Sequence, residues 1–386
     1  MYENLFKSIE IKSNTAANHF VAQAMEGNDG AYGGSPSERT INRYRQLARG
    51  RWGIVVVEAI SILDSSLARI NGMILNEKNL DGFKRLVETF KTENPLGIIF
   101  FQLTHSGERS GGFSDITTLT PNTQGCRYLS SDELEQIKDA FIKSALLAEA
   151  AGADGIDFKM CHGYLGGEIL RPRNTRPDKW GGSFENRTRL LRETVSEIQD
   201  RLKSKRFILG SRLSLYEGIR GGCGVAGADE LIEDLSEMFE VIRLMDTLGM
   251  DYVNVSAGIP ALTGAITRPT EPSKHLALHH LRYTQSVKQM LQQENLHLRV
   301  IGSAYSAYKE NAPEIMEEML VKGYTDFCGF GRQTFADPLT PQKLRAGEKI
   351  NWCLLCSGCT KLMVSQRNDG CIVYNDYYKA IIKQAT

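Results

Sequence analysis

GIDFKMCHGYLGGEILRPRNTRPDKWGGSFENR, residues 155–187, decides the fold class and places the chemistry. It opens with a short β-like run, Gly155-Ile156-Asp157-Phe158, and sets Lys159, His162 and Tyr164 just past that run's carboxyl end. In a parallel α/β protein, ligands bind at the carboxyl ends of the strands. An ammonium, an imidazole and a phenol spaced this closely can hold an electron-rich oxygen and hand over a proton.

Working outward, similar apolar, β-rich runs occupy 20–24, 54–58, 97–103, 207–213, 252–256, 298–302 and 326–330. Helix-period segments separate them. One helix begins at Ser130 with Glu133 three residues on, a capping box. It keeps Ile137, Phe141 and Ala148 on one face and stops near Gly152. Segments 81–90, 185–202, 230–248 and 314–321 read the same way. Eight β/α repeats predict a (β/α)8 TIM barrel; a doubly wound open sheet is the alternative. Gly222-Cys-Gly224-Val-Ala-Gly227 matches G-x-G-x-x-G but lies some way beyond the fifth run and precedes a helix, so it reads as a loop. No Walker loop occurs, so the sequence shows no nucleotide-binding domain of its own.

The segment His162-Gly163-Tyr164-Leu165, followed by Asn174, Arg176, Asp178, Trp180, Gly181, Gly182, Ser183, Glu185, Asn186 and Arg187, resembles the signature of the Old Yellow Enzyme family of FMN-dependent oxidoreductases. The resemblance extends over nearly the whole chain and implies a TIM barrel with FMN at its carboxyl face. It also implies roles. Gln102 matches the glutamine that holds the pyrimidine edge of FMN, and Arg212 the arginine beside N1 and O2. Ala24, Met25 and Ala59 match positions giving backbone contacts to the isoalloxazine. Ser303, Ala304, Gly331 and Arg332 match the phosphate cradle. Three residues depart from the pattern: Lys159 stands where histidine is usual, Glu26 where a small polar residue, cysteine or histidine lies near the flavin, and Ala304 where glycine is common.

Cys353-Leu-Leu-Cys356-Ser-Gly-Cys359 with Cys371 beyond is the second informative pattern. Three thiols at i, i+3 and i+6 with a distant fourth suit a [4Fe–4S] cluster. Structural zinc, the alternative, more often uses two separated CxxC pairs. The spacing resembles the iron–sulfur branch of the same family, which includes 2,4-dienoyl-CoA reductase and trimethylamine dehydrogenase. Residues 1–345 are therefore expected to form the FMN-binding barrel and 346–386 a cluster-binding extension packed on it.

Composition bounds the partners. The 386 residues are 41% hydrophobic and 24% charged, ordinary for a globular protein. Lys+Arg and Asp+Glu both number 46, which argues against nucleic acid or an anionic membrane. The N-terminus MYENLFKSIEIK has no apolar core of a signal peptide, and no 18-residue apolar run occurs. Together with the clustered cysteines this predicts a reducing, cytoplasmic setting. No pattern fixes the oligomeric state, and a homo-oligomer is compatible with it.

The expected activity is an FMN-dependent ene-reductase acting on an activated C=C bond. Lys159 and His162 would bind the activating oxygen, and Tyr164 would protonate the α-carbon. An amine or alcohol dehydrogenase and an electron-transfer subunit are the alternatives. Electrons would come from NAD(P)H or from a separate ferredoxin- or flavodoxin-like protein. The expectation of a separate donor rests on the relatives continuing into a second nucleotide-binding half, whereas this sequence stops at Thr386.

Overall fold

A computed structural model describes residues 2–121 and 123–384. All eight predicted runs are strands: β1 (Phe20–Ala22), β2 (Ile54–Ser61), β3 (Ile98–Thr104), β4 (Gly155–Met160), β5 (Ile208–Ser214), β6 (Tyr252–Ser256), β7 (Arg299–Gly302) and β8 (Phe327–Phe330). Each pairs in parallel with the next, and β8 pairs with β1, so the sheet closes. The fold is a (β/α)8 barrel rather than an open sheet. Its outer ring includes α1 (Glu38–Arg49), α2 (Leu80–Glu93), α3 (Ser131–Ala150), α4 (Arg189–Arg201), α5 (Ser236–Thr247), α6 (Ala277–Gln293), α7 (Ala312–Val321) and α8 (Thr340–Ala346).

Two apolar clusters follow from strand alternation. Val21, Ile54, Val56, Ile98, Phe100, Ile208, Tyr252, Ile301 and Phe327 fill the barrel interior. An antiparallel hairpin of Ile9–Ile11 and Asn14–Ala16 adds Ile11 and Ala16 to that cluster and stoppers the amino end of the barrel. Lys12 Nζ donates to Phe207 O at 2.7 Å, and Arg299 Nε to Glu10 O at 2.9 Å. The larger cluster lies between strands and helices and includes Trp52, Phe83, Phe90, Phe141 and Trp180.

The capping box at α3 forms as read: Glu133 N donates to Ser130 Oγ at 3.2 Å and Ser130 N to the Glu133 carboxylate at 2.8 Å. Two helical segments differ from the sequence reading. The 185–202 segment is a short helix, Phe184–Arg187, followed by α4, with the break at Thr188. The 230–248 segment is helical only from Ser236. Residues 215–235 are a long loop that contains the G-x-G-x-x-G match, with Gly224 at φ 74 and its own Val225–Glu233 bridge. Helices α1, α6 and α8 were not anticipated, although α1 buries Ile41, Tyr44, Leu47 and Ala48 at helical spacing. Ser37 caps α1 with Thr40 at the third position, in place of the usual Glu or Gln.

The family-like signature proves to be a brace. Asn174 Nδ2 donates to Ile169 O and Trp180 O, both at 2.9 Å. Arg176 pairs with Asp178, Arg187 with Glu237, and Trp180 is fully buried. A Cβ on Gly181 would come within 2.6 Å of Arg176 Cβ, so only glycine fits there. These contacts fix the chain that follows Tyr164.

The cysteine-rich segment folds over the carboxyl mouth and includes two helices, Gly358–Val364 and Asp376–Gln384. Asp369 N donates to Gly27 O at 2.7 Å, Asn28 Nδ2 to Arg367 O at 3.0 Å, and Cys353 N to Gln333 Oε1 at 2.8 Å. No helix among the described residues is long and apolar enough to cross a membrane.

Candidate active site

The inward side chains near the carboxyl ends of the strands form a buried polar platform. Gln102 Nε2 donates to Asp157 Oδ1 at 2.8 Å, and the Tyr252 hydroxyl to Asp157 Oδ2 at 3.0 Å. Gln23 and Asn254 exchange amide hydrogen bonds at 2.8 and 2.9 Å. Arg212 reaches Gln23 Oε1, Asn254 Oδ1 at 3.2 Å and Ser256 Oγ at 3.2 Å. Burial pushes the Asp157 carboxyl above its ordinary range.

Above the platform opens a cavity of about 390 Å³. It collects almost every residue named from sequence: Ala24, Met25, Glu26, Gln102, Lys159, His162, Tyr164, Arg212, Ser303, Ala304, Gly331 and Arg332. Cys353, Cys356, Cys359 and Cys371 do not line it, and among the catalytic and flavin-contact residues Ala59 is the exception. It sits where β2 bulges between Val57 and Ile60, and it lines a small adjoining cavity with Glu58, Arg69 and Tyr164.

Two groups of donors face the cavity. His162, at φ 61, places Nε2 2.8 Å from Ser256 Oγ, while its own N–H donates to Ser214 Oγ at 3.1 Å. Burial, then the charges of Arg212 and Lys159, hold the imidazole well below its ordinary pKa, so it is neutral near pH 7. The second group centres on Glu26. Its Oε1 accepts from Lys159 Nζ and from the Tyr164 hydroxyl, each at 2.9 Å. Lys159 Nζ also lies 3.4 Å from the Tyr164 ring centroid. Burial works against the Glu26 charge, but Arg69 and Lys159 outweigh it and hold the carboxyl far below its usual range. Burial would likewise lower Lys159, and Glu26 reverses this. Burial and the Glu26 charge raise the Tyr164 phenol. Lys159 and His162, expected to act as one oxygen-binding pair, are thus tied to different partners.

Sequence reading missed Arg69, Gln23, Asn254 and the pocket wall given by the C-terminal segment: Thr360, Met363, Val364, Gln366 and Asp369. Arg69 lies in a loop without motif. Asn254 is a polar residue inside an apolar strand and Gln23 directly follows β1, a signal that was available.

A flavin mononucleotide fits the donor set. Buried Arg212 Nε and Arg332 Nη1 make no hydrogen bond in the protein. Gln102 Oε1 is left to accept, because its amide nitrogen serves Asp157. Ala304 takes a left-handed φ of 73, turning the backbone after β7. Arg332 is anchored through Nη2 to Pro269 O at 2.6 Å.

The iron–sulfur donor set fits in kind and not in arrangement. Cys353, Cys356, Cys359 and Cys371 are free thiols. Burial raises the thiols of Cys353, Cys359 and Cys371. Leu355 and Ser357, at φ 56 and 59, wind the loop tightly between them. Among the described residues, however, no three His, Cys, Asp or Glu side chains are gathered closely enough to hold a metal ion.

A closed parallel barrel with ionisable donors and unpaired cationic N–H groups at its carboxyl mouth is the framework of a cofactor-dependent barrel enzyme. Residues 4–351 match the NADH:flavin oxidoreductase / NADH oxidase family, and the chain belongs to it, which makes it an oxidoreductase. It is 28% identical over 375 residues to an NADH oxidase of Thermoanaerobacter brockii, covering 93% of this chain and 54% of that protein. It is 27% identical over 377 residues to a dimethylamine dehydrogenase of Hyphomicrobium sp. (strain x), covering 93% of this chain and 48% of that protein. A structure of 2-naphthoyl-CoA reductase in complex with 2-naphthoyl-CoA superposes with a TM-score of 0.80 at 23% identity, over 97% of this chain and 57% of that one. The chain spans about half the length of these relatives.

Proposed function

We propose that the chain is the catalytic barrel of an FMN-dependent ene-reductase that reduces an activated C=C bond. The observation that carries this reading is the convergence of Lys159, His162 and Tyr164 on the cavity that also holds Gln102, Arg212 and Arg332. FMN, when bound, supplies hydride to the β-carbon of the substrate. Gln102 would take its pyrimidine edge, Arg212 its N1/O2 side, and Ser303, Ala304, Gly331 and Arg332 its phosphate. Ala24, Met25, Glu26 and Ala59 would flank the ring system.

The protein's own residues do the rest. The neutral His162 ring and the Lys159 ammonium bind the activating oxygen and stabilise negative charge developing there. Tyr164, protonated throughout the neutral range, donates to the α-carbon. Cys353, Cys356, Cys359 and Cys371 would hold a [4Fe–4S] cluster on the rim, a reading supported by their spacing in the sequence. Cys356 is exposed, as are Leu354, Val373 and Tyr374 of the same cysteine-rich segment, which suits electron entry from a small ferredoxin- or flavodoxin-like carrier. NAD(P)H delivering hydride directly is the other source of electrons.

A second reading, amine oxidation, is favoured by the likeness to dimethylamine dehydrogenase over 93% of the chain. Steady-state turnover separates the two. Enones with a reduced viologen donor should be consumed, and secondary amines with a dye acceptor should not. The opposite pattern would establish the dehydrogenase.

A further inference from the structure

His280 is a buried imidazole on the cavity wall with no part in the flavin contacts or the proton delivery described above. Its Nε2 lies 2.9 Å from Ile266 O, and its Nδ1 lies 3.0 Å from Ser303 Oγ. Ser303 Oγ in turn lies 2.6 Å from Val255 O. Three contacts at these distances need a proton each, and the two backbone carbonyls can only accept. The serine hydroxyl carries one proton and a neutral imidazole carries one. Only the imidazolium completes the chain, with Nε2–H donating to Ile266 O, Nδ1–H to Ser303 Oγ and the Ser303 hydroxyl to Val255 O. We propose that His280 takes up a proton from solvent when the cradle of Ser303, Ala304, Gly331 and Arg332 receives the FMN phosphate, so that it is a positioning residue for Ser303 and links cofactor loading to pH.

The surrounding charges explain why the proton comes with an anion. Burial pushes the His280 pKa down to about 4; Arg212 on β5 and His279 on α6 add to this, and the hydrogen bond to the Ile266 carbonyl opposes it. His162 after β4, Arg268 before α6 and Arg332 after β8 line the same cavity and bring no negative charge. Among the described residues, the carboxylates that line the cavity, Glu26, Glu108 and Asp369, do not act on the ring. The protein's own groups therefore favour a neutral ring near pH 7, which leaves one of the three contacts without a proton. An opposite charge close to an ionisable group favours its charged form by roughly 1–3 pKa units, and a phosphate ester carries close to two charges above its second ionisation at about 6. A dianion in the cradle is thus enough to carry the ring past neutrality and to fill the open contact.

This inference rests on the proposed flavin site and is tested separately from it. Flavin-free protein is titrated with FMN and with riboflavin, which lacks the phosphate, and binding is followed by flavin fluorescence. Between pH 6 and 7 the wild-type affinity for FMN, divided by that of His280→Gln, should fall about five- to tenfold, as coupling to one proton requires. The same ratio for riboflavin should stay level. Calorimetry of FMN binding at pH 7, in two buffers of different ionisation enthalpy, should count a net proton uptake in the wild type that is missing in His280→Gln. A level FMN ratio, an equal fall for riboflavin, or the same proton count in the variant overturns the proposal. If His280→Gln fails to fold, the wild-type proton count decides: uptake with FMN and none with riboflavin supports the proposal, and no uptake with FMN overturns it. A protein that binds neither flavin would refute the flavin site itself, and this proposal with it.

Discussion

Replacing Tyr164 by phenylalanine isolates the proton-delivery step. The ring is buried and keeps its place under the Lys159 ammonium, 3.4 Å from the centroid, so packing and the cation–π contact survive. What is lost is one hydroxyl and its 2.9 Å hydrogen bond to Glu26. A hydrogen bond to a charged group contributes roughly 1.5–3 kcal/mol. Glu26 keeps Lys159 and Arg69, so the cost in stability should fall at or below the lower end of that range. The kinetic cost is larger. Losing a general acid slows the step it serves by roughly 10²-fold or more. In stopped flow the variant should be reduced at the wild-type rate, while its reoxidation by an enone slows by that factor. Because burial and Glu26 raise the phenol, wild-type reoxidation should not fall between pH 6 and 9 from loss of this proton. Equal slowing of both half-reactions would refute the role given to Tyr164.

Three other outcomes are expected. Ala304 sits at φ 73, so Ala304→Gly should raise stability to urea by roughly 0.5–1 kcal/mol without changing flavin content. Burial, then the Glu108 charge, push the Glu168 carboxyl up to about 7, and its Oε2 has no hydrogen-bond partner. Between pH 4.5 and 7 the folded state therefore retains a proton that the unfolded chain has lost, and this group costs stability as pH rises through that window. Glu168→Gln should be more stable than wild type by roughly 1–3 kcal/mol at pH 8, with the advantage gone near pH 4.5, as measured by denaturant unfolding at both values. Anaerobically purified protein should contain iron and acid-labile sulfide, whereas stoichiometric zinc without sulfide would end the cluster proposal.

The barrel was legible because its strands are short apolar runs with turn signals at both ends, and because alternation of eight such runs with helices admits few closed solutions. Helix α1 was legible in principle, since Ile41, Tyr44, Leu47 and Ala48 recur at helical spacing, but its cap uses Thr40 in place of the usual Glu or Gln. The site was legible where chemistry sits at strand ends, as for Gln102, Lys159 and Arg212. It was illegible where a loop folds back: no local pattern shows that Arg69 meets Glu26, or that Asp369 and Met363 wall the pocket. The Glu26 departure was visible as a letter in the sequence. Its consequence, an ammonium and a phenol held on one carboxylate oxygen, needs the closed barrel, because β1 and β4 are not neighbours in the sheet.

The central claim is that this pocket passes hydride and a proton to an activated double bond. The most direct measurement is a single turnover of FMN-loaded, photoreduced protein mixed anaerobically with cyclohexenone, following flavin absorbance and the organic product together. The account predicts flavin reoxidation matched by one equivalent of cyclohexanone per flavin. Reduced flavin that persists with the enone, while oxidised protein is bleached by dimethylamine, would contradict it.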